Sequence, residues 1–160
     1  AVDDLDKYLF KKPAADVILG LTSNFKFKSL DFSFAGRANL GNYVYNNVAT
    51  DMGYIQRLYH PTNYLQNIHR SGLENNFLQQ RNLTFSDYFV TEASFFRMDH
   101  ITLGYSFDKL IGNYLRIYTT VQNPFIITKY EGLDPELGNG IDNNVYPRTR
   151  TFLFGLSVDF

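Results

Sequence analysis

The sequence predicts an all-β chain whose strands form an antiparallel sheet in the wall of a transmembrane β-barrel. Three observations lead there. Apolar and polar residues alternate with a period of two in five separate runs, the signature of strands with one apolar and one polar face. The connections between these runs are short, long, short and long in turn, which puts both long ones at the same end of the sheet. Aromatic residues, 17% of the chain and all Phe or Tyr, are spread through the runs rather than gathered in one segment.

After an acidic, irregular start over residues 1–15, the first run spans 16–28. Val17, Leu19, Leu21, Phe25 and Phe27 share one parity, and Asp16, Thr22, Asn24, Lys26 and Lys28 the other. A short turn near Lys28–Leu30 leads into a second run, about 30–45. There Leu30, Phe32, Phe34, Ala38 and Leu40 oppose Asp31, Ser33, Arg37 and Asn39, and the two runs read as a hairpin. Alternation is lost over 46–91, a stretch with His60-Pro61, Ser71-Gly72 and scattered Asn, Gln, Leu and Tyr, in which a short helix near Tyr54–Leu58 is one local possibility. A structureless loop of this length counts against a compact soluble domain, whereas outer-membrane barrels carry long extracellular loops and short periplasmic turns.

The third run, 94–107, sets Ile101, Leu103, Tyr105 and Phe107 against His100, Thr102, Gly104 and Ser106. A turn over Asp108–Asn113 precedes the fourth, 114–123, with Leu115, Ile117, Thr119 and Val121 against Arg116, Tyr118, Thr120 and Gln122. The second long loop, 124–147, is rich in Gly, Asn and Asp. The last run, 148–160, carries Phe152, Phe154, Leu156, Val158 and Phe160 on one face and Thr151, Gly155, Ser157 and Asp159 on the other. In this reading Phe152, Phe154 and Leu156 face lipid, while Arg37, Asn24 and Gln122 face the lumen. Tyr114 and Tyr118 are candidates for an interfacial aromatic girdle.

Composition narrows the function classes. Cysteine is absent, which removes disulfide frameworks and thiolate metal sites. The net charge is −1 and no basic run tracks a phosphate backbone, so nucleic acid is not an expected partner. No apolar stretch approaches the ~20 residues of a membrane-spanning helix, a test to which barrel strands are blind. Residues 1–6 do not read as a signal peptide. Five strands do not close around a polar interior, and lipid does not tolerate open sheet edges. The expectation is therefore the C-terminal five strands of a larger barrel, completed by further strands. The ending adds to it: Gly155, Val158 and Phe160 resemble the terminal signal read by outer-membrane assembly machinery. Leu153 stands where that pattern usually has a polar residue.

A wider resemblance covers roughly three quarters of the chain. Ser94-Phe95-Phe96-Arg97-Met98-Asp99-His100-Ile101-Thr102-Leu103-Gly104-Tyr105 is similar to the S-x-x-R-x-x-x-I-T-L-G-Y strand of SusC/RagA proteins. Asn123-Pro124-Phe125, Ile127-Thr128-Lys129-Tyr130, Gly132-Leu133-Asp134-Pro135-Glu136, Tyr146-Pro147-Arg148-Thr149-Arg150-Thr151-Phe152 and the first hairpin with Gly41-Asn42-Tyr43-Val44-Tyr45-Asn46 fit the same family. The resemblance implies a TonB-dependent outer-membrane importer with a barrel of 22 strands around a plug. The plug, and with it the contact to TonB, ExbB and ExbD, would lie outside this chain. A SusD-like surface lipoprotein would act as a lid, and oligosaccharides or peptides would be the nutrients carried. Tyr54, Tyr59 and Tyr64, with Asn63, then become candidate contacts to lid or substrate, together with Asp134 and Asp142, with packing of the loop itself as the alternative role of the tyrosines. A passive porin or adhesin is the alternative, and a soluble lipocalin-type barrel with inward Phe faces a third reading.

Catalysis and cofactors are not expected. His60, His69 and His100 lack the close ligand spacing of a zinc site. Ser106 and His100 share a parity but stand six residues apart on one strand, ~20 Å at ~3.4 Å per residue, too far for a nucleophile and its base. The loop from Gly132 through Asp134, Glu136, Asn139, Asp142 and Asn143 is oxygen-rich, yet its spacing fits no calcium loop. It reads as an exposed turn-rich segment, with Asn139-Gly140 as the turn signal.

Overall fold

The first hairpin forms as its alternation requires. β1 (Val17–Phe27) and β2 (Leu30–Leu40) pair antiparallel along their whole length, from Val17 opposite Leu40 to Phe27 opposite Leu30. Lys28 and Ser29 make the turn, with Lys28 at a φ of 54°. The computed structural model describes residues 4–59, 61–62, 64–74, 86–110, 113–143 and 145–159.

The second run does not continue to Tyr45. β2 stops at Leu40, because Gly41 takes a φ of 80°, a conformation open to glycine, and the chain then enters another sheet as β3 (Tyr43–Asn46). The remaining strands are β4 (Val90–Glu92), β5 (Phe95–Leu110), β6 (Asn113–Thr128), β7 (Ile141–Asp142) and β8 (Thr151–Asp159). They form a five-stranded antiparallel sheet in the order β1-β2-β5-β6-β8 and a three-stranded sheet in the order β4-β3-β7.

β5 and β6 are 16 residues each, β5 running three residues past its expected end and β6 outrunning its expected bounds at both ends. The sequence places a turn at Asp108–Asn113, but strand pairing reaches Leu110 opposite Asn113, and residues 111–112 lie outside the described ones. At the other end the ladder passes through an irregularity between Met98 and His100. Across it, on β6, Asn123 has a φ of 48° and Pro124 follows. Proline lacks a donor and is tolerated in sheets at such irregularities. Parity on β6 resumes past Asn123-Pro124, with Phe125 opposite Met98 and Ile127 opposite Phe96, and alternation fades there because the apolar Ile126 stands at a polar-face position opposite Arg97. At ~3.3 Å per residue these strands extend about 50 Å, ample for an apolar band about 25 Å tall.

The chain divides into two compact units. The five-stranded sheet is one, made of 16–40, 95–128 and 147–160. The other gathers 1–15, 41–94 and 129–146. Its small sheet pairs Tyr43 with Glu92 antiparallel and Tyr45 with Ile141 in parallel. Val44, Ala93 and Tyr130 form its buried centre, with Leu137 packed against them. Helix α1 (Asn47–Met52) starts where the Asn46 side chain accepts the Ala49 N–H at 2.9 Å, an N-cap of the preferred residue type. A 3-10 turn covers Ile55–Leu58, and α2 spans Arg70–Glu74. The long loop thus contains short local elements, including a 3-10 turn where the sequence leaves a short helix near Tyr54–Leu58 as one possibility. Among the described residues no helix is long and apolar enough to cross a membrane.

Candidate functional site

Register sorts the five-stranded sheet into two faces of opposite chemistry. Across one row, Leu30 lies opposite Tyr105, Tyr105 opposite Ile117 and Ile117 opposite Leu156. A second row joins Phe25, Phe32, Leu103, Thr119 and Phe154, and a third ends on Phe34, Ile101, Val121 and Phe152. This face is apolar almost throughout, and Phe154 on it is 84% exposed. The other face carries Lys26, Asp31, Ser33, Arg37, His100, Thr102, Arg116, Thr120, Gln122 and Ser157. Phe152, Leu156 and Val158 belong to the first face, Arg37 and Gln122 to the second. Phe160 lies outside the described residues.

The polar face is internally bonded. Arg116 reaches diagonally across β5 to Asp31, donating from Nε at 2.9 Å and from Nη2 at 2.5 Å. Such a two-pronged guanidinium–carboxylate contact fixes geometry as well as charge. Arg37 pairs with Asp99, the residue at the β5 irregularity. An extra residue in one strand re-aims its side chain, and here the carboxylate turns to the polar side. Thr102 and Thr120 share a 2.8 Å hydroxyl bond, and Ser106 bonds the Tyr114 hydroxyl at 2.7 Å. Ser106 and His100 therefore serve different neighbours, His100 standing opposite Gln122.

This arrangement corrects the girdle reading of Tyr114 and Tyr118. Both lie on the polar face, and the Tyr118 ring sits 4.8 Å from the Arg116 guanidinium, in cation–π contact. Gly155, opposite Tyr118, leaves the space that the ring occupies, since a Cβ there would fall inside it. Gly155 thus has a packing role of its own beside any role in an assembly signal.

In the second unit the two loop aspartates are not exposed. Asp142 has no solvent exposure, and its Oδ2 accepts the Tyr130 hydroxyl at 2.9 Å and the Leu133 N–H at 2.7 Å. Asp134 is 5% exposed and takes the Glu136 N–H at 2.9 Å. The Asn42 amide donates to the Pro135 carbonyl at 3.1 Å. Asp134 and Asp142 hold the loop together, which corrects their reading as surface contacts. Asp142 Oδ2 and Asp134 Oδ1 serve the loop's own backbone and Tyr130, so the loop is folded on its acids and is not a solvated turn. Asn139-Gly140 does make the expected turn, with the Ile141 N–H on the Asn139 side chain and Gly140 at a φ of 70°.

Burial and the neighbouring Asp142 carboxylate push the Tyr130 hydroxyl well above its ordinary pKa of 10.0. The folded loop thus holds this proton more tightly than the unfolded chain. Its contribution is complete below pH 10 and is lost as pH rises beyond the ordinary tyrosine value. Amide protection across 130–142, relative to intrinsic base-catalysed exchange, is expected to fall above pH 10, and Tyr130→Phe to remove that fall.

The tyrosines of the long loop are more open. Tyr59 forms an isolated antiparallel bridge with Leu65, and the Gln66 N–H bonds the Leu58 carbonyl at 2.9 Å. Tyr59 is 67% and Tyr64 55% exposed, while Tyr54 is half-buried at the start of the 3-10 turn. Asn63 and His60 lie outside the described residues. Nearby, a cleft of about 320 Å³ is lined by Ala49, Phe89 and Tyr88 on one side and by His69, Arg70 and Glu131 on another. His69 Nδ1 receives the Ser71 N–H at 3.2 Å, and Arg70 bonds Glu74 at 2.9 Å and Glu131 at 3.5 Å. This cleft was not legible in sequence, because its parts come from four separated segments.

A five-stranded antiparallel sheet, polar on one face, apolar on the other and paired on only one side at β1 and β8, is part of a larger transmembrane β-barrel. No family model matches the chain. It is similar to the TonB-dependent receptor SusC of Bacteroides thetaiotaomicron, with 46% identity over 180 residues covering 99% of this chain and 16% of that protein. TonB-dependent receptor P3 of Formosa agariphila shares 23% identity over 99% of the chain and 18% of its own length. Among solved structures, the RagAB peptide importer in its closed-closed state superposes with a TM-score of 0.76 at 22% identity, over 100% of this chain and 19% of that one. Its open-open state gives 0.74. The chain belongs to the SusC/RagA family of TonB-dependent receptors, as a portion of their outer-membrane barrel. It spans about a sixth of the length of the curated relatives it matches.

Proposed function

We infer that the chain forms five consecutive C-terminal wall strands of a TonB-dependent nutrient importer. The observation that carries this is the 46% identity to a SusC receptor along essentially the whole chain, wall and loop unit alike. The apolar face with Phe152, Phe154 and Leu156 meets lipid, and the polar face with Arg37, Arg116 and Gln122 lines the lumen around the plug. Further strands of the same protein complete the barrel to 22, and the plug couples through TonB to ExbB and ExbD. The two long loops lie outside the cell, where Tyr59 and Tyr64 meet a SusD-like lipoprotein lid and the cleft beside Tyr88 and His69 offers hydrogen-bonding groups to the cargo. Oligosaccharides or peptides are that cargo, and the chain carries out no catalysis. The strand end at Gly155, Val158 and Phe160 serves the assembly machinery.

The passive porin reading is less well supported, because the relatives are TonB-dependent receptors. Uptake by cells carrying the full receptor separates the two. Import that stops when the inner-membrane proton gradient is collapsed supports the importer, and import that persists contradicts it. The lid contact has its own test. Tyr59→Ala with Tyr64→Ala is expected to lower co-purification of the surface lipoprotein at least several-fold, since interfacial tyrosines carry a large share of binding energy. Unchanged recovery would remove these residues from the interface.

A further inference from the structure

The apolar face of the wall is not evenly filled. In the row Phe25, Phe32, Leu103, Thr119 and Phe154, every position but one carries a large apolar side chain, and the exception is Thr119. Its hydroxyl donates to the Leu153 carbonyl at 3.2 Å, so the one polar atom of the row is taken up by the backbone of β8. Beside it lies a groove of about 370 Å³, lined by Thr119 with Leu30, Leu103, Tyr105, Ile117 and Phe154. These six share the apolar face, and no residue lining the groove is charged. Leu30 opens β2, so the groove reaches the β1–β2 turn. Opposite Leu30 stands Phe27, 72% exposed on the same face, and the Lys28 ammonium lies over its ring, 5.5 Å from the centroid. Such a cation–π contact holds the charge of the turn on the apolar side, where the hairpin ends.

We propose that the groove and Lys28 together form a site for an anionic phospholipid of the periplasmic leaflet, with an acyl chain against Thr119 and the phosphate at the Lys28 ammonium. A concave, uncharged lining suits a hydrocarbon chain. A lysine at the edge of an apolar surface lays its stem along that surface and carries its charge to headgroup depth, where anionic lipid attracts it. Groove and cation lie on one face and at one end of the sheet, as a ligand with an apolar tail and a negative head requires. The proposal rests on the reading that the apolar face meets lipid and the short turns face the periplasm. It does not depend on the nutrient carried.

The experiment uses the full receptor in detergent and native mass spectrometry, with phosphatidylglycerol and phosphatidylethanolamine of identical chains as separate probes. Wild-type receptor is expected to retain phosphatidylglycerol about fivefold better, on the scale of one cation at an anionic lipid surface. Lys28→Gln, in the turn and outside the strands, should abolish that preference and leave phosphatidylethanolamine binding unchanged. Thr119→Phe fills the groove with a residue that suits a strand, and should lower retention of both lipids at least several-fold. Equal retention of the two lipids by the wild type, or a Lys28→Gln loss shared by both, overturns the proposal. So does folded Thr119→Phe receptor that retains both lipids as the wild type does. Orientation is read independently, by labelling Ser29→Cys with a membrane-impermeant maleimide. Protection on intact cells, with labelling once the outer membrane is permeabilised, supports the periplasmic reading. Labelling on intact cells sinks it whatever the lipid result.

Discussion

Arginine at Leu156 is expected to leave little folded receptor in the outer membrane. Leu156 sits near the middle of the apolar run of β8, 70% exposed, with Ile117 beside it. An arginine on the lipid side near the bilayer midplane costs about 2–4 kcal/mol. On the proposed lipid side the side chain would be too far from either interface to reach water without tilting or thinning its surroundings. Three residues earlier, Leu153 stands on the polar face opposite Thr120. Leu153→Arg is expected to change the folded fraction little, because on the proposed lumen side its guanidinium would meet water, with Thr120 across the strand. The heat-modifiable folded fraction on gels of isolated outer membranes separates the two. Equal damage from both substitutions would mean that the wall lacks the sidedness proposed for it.

The second large effect falls in the loop unit. Asp142→Ala is expected to loosen 129–143 by about 1–3 kcal/mol, since it strands the buried Tyr130 hydroxyl and takes the acceptor from the Leu133 N–H. The barrel itself should still assemble, because its strand pairing does not involve Asp142. Limited proteolysis and amide exchange are the readouts. Faster cleavage within the loop beside an unchanged heat-modifiable barrel is the expected pair of results, and an unchanged loop would show that Asp142 is not its anchor.

Much of the wall was legible because strand period and ladder register agree. On β1, β2 and β8, alternating residues such as Phe25, Phe32 and Phe154 take one face in sequence and in register. Legibility fails where parity itself breaks. Asp99 shifts the phase of β5 while β6 keeps its parity across Asn123-Pro124, and the Arg37–Asp99 pair depends on that shift. The pairing of Asp31 with Arg116 bridges 85 residues and follows from the register of three strands, which one sequence does not specify. Strands of two to four residues, such as β3 and β7, carry too few alternations to be read at all. Asp142 shows the remaining limit. In a Gly- and Asn-rich stretch an aspartate reads as solvated, and only Tyr130, twelve residues earlier, makes it a buried anchor. The helix after Asn46 did have a local signal, an asparagine in position to cap, within a segment whose length argued for a plain loop.

The central claim is the sidedness of the wall, and a nitroxide scan of positions 151–158 in the full receptor, reconstituted in bilayers, tests it most directly. Each label is read for collision with oxygen, which concentrates in lipid, and with a water-soluble nickel chelate. Labels at 152, 154, 156 and 158 should favour oxygen and those at 151, 153, 155 and 157 the chelate, alternating residue by residue. The reverse alternation, or chelate access at every position, would contradict a lipid-facing Phe152–Val158 face and the barrel wall built on it.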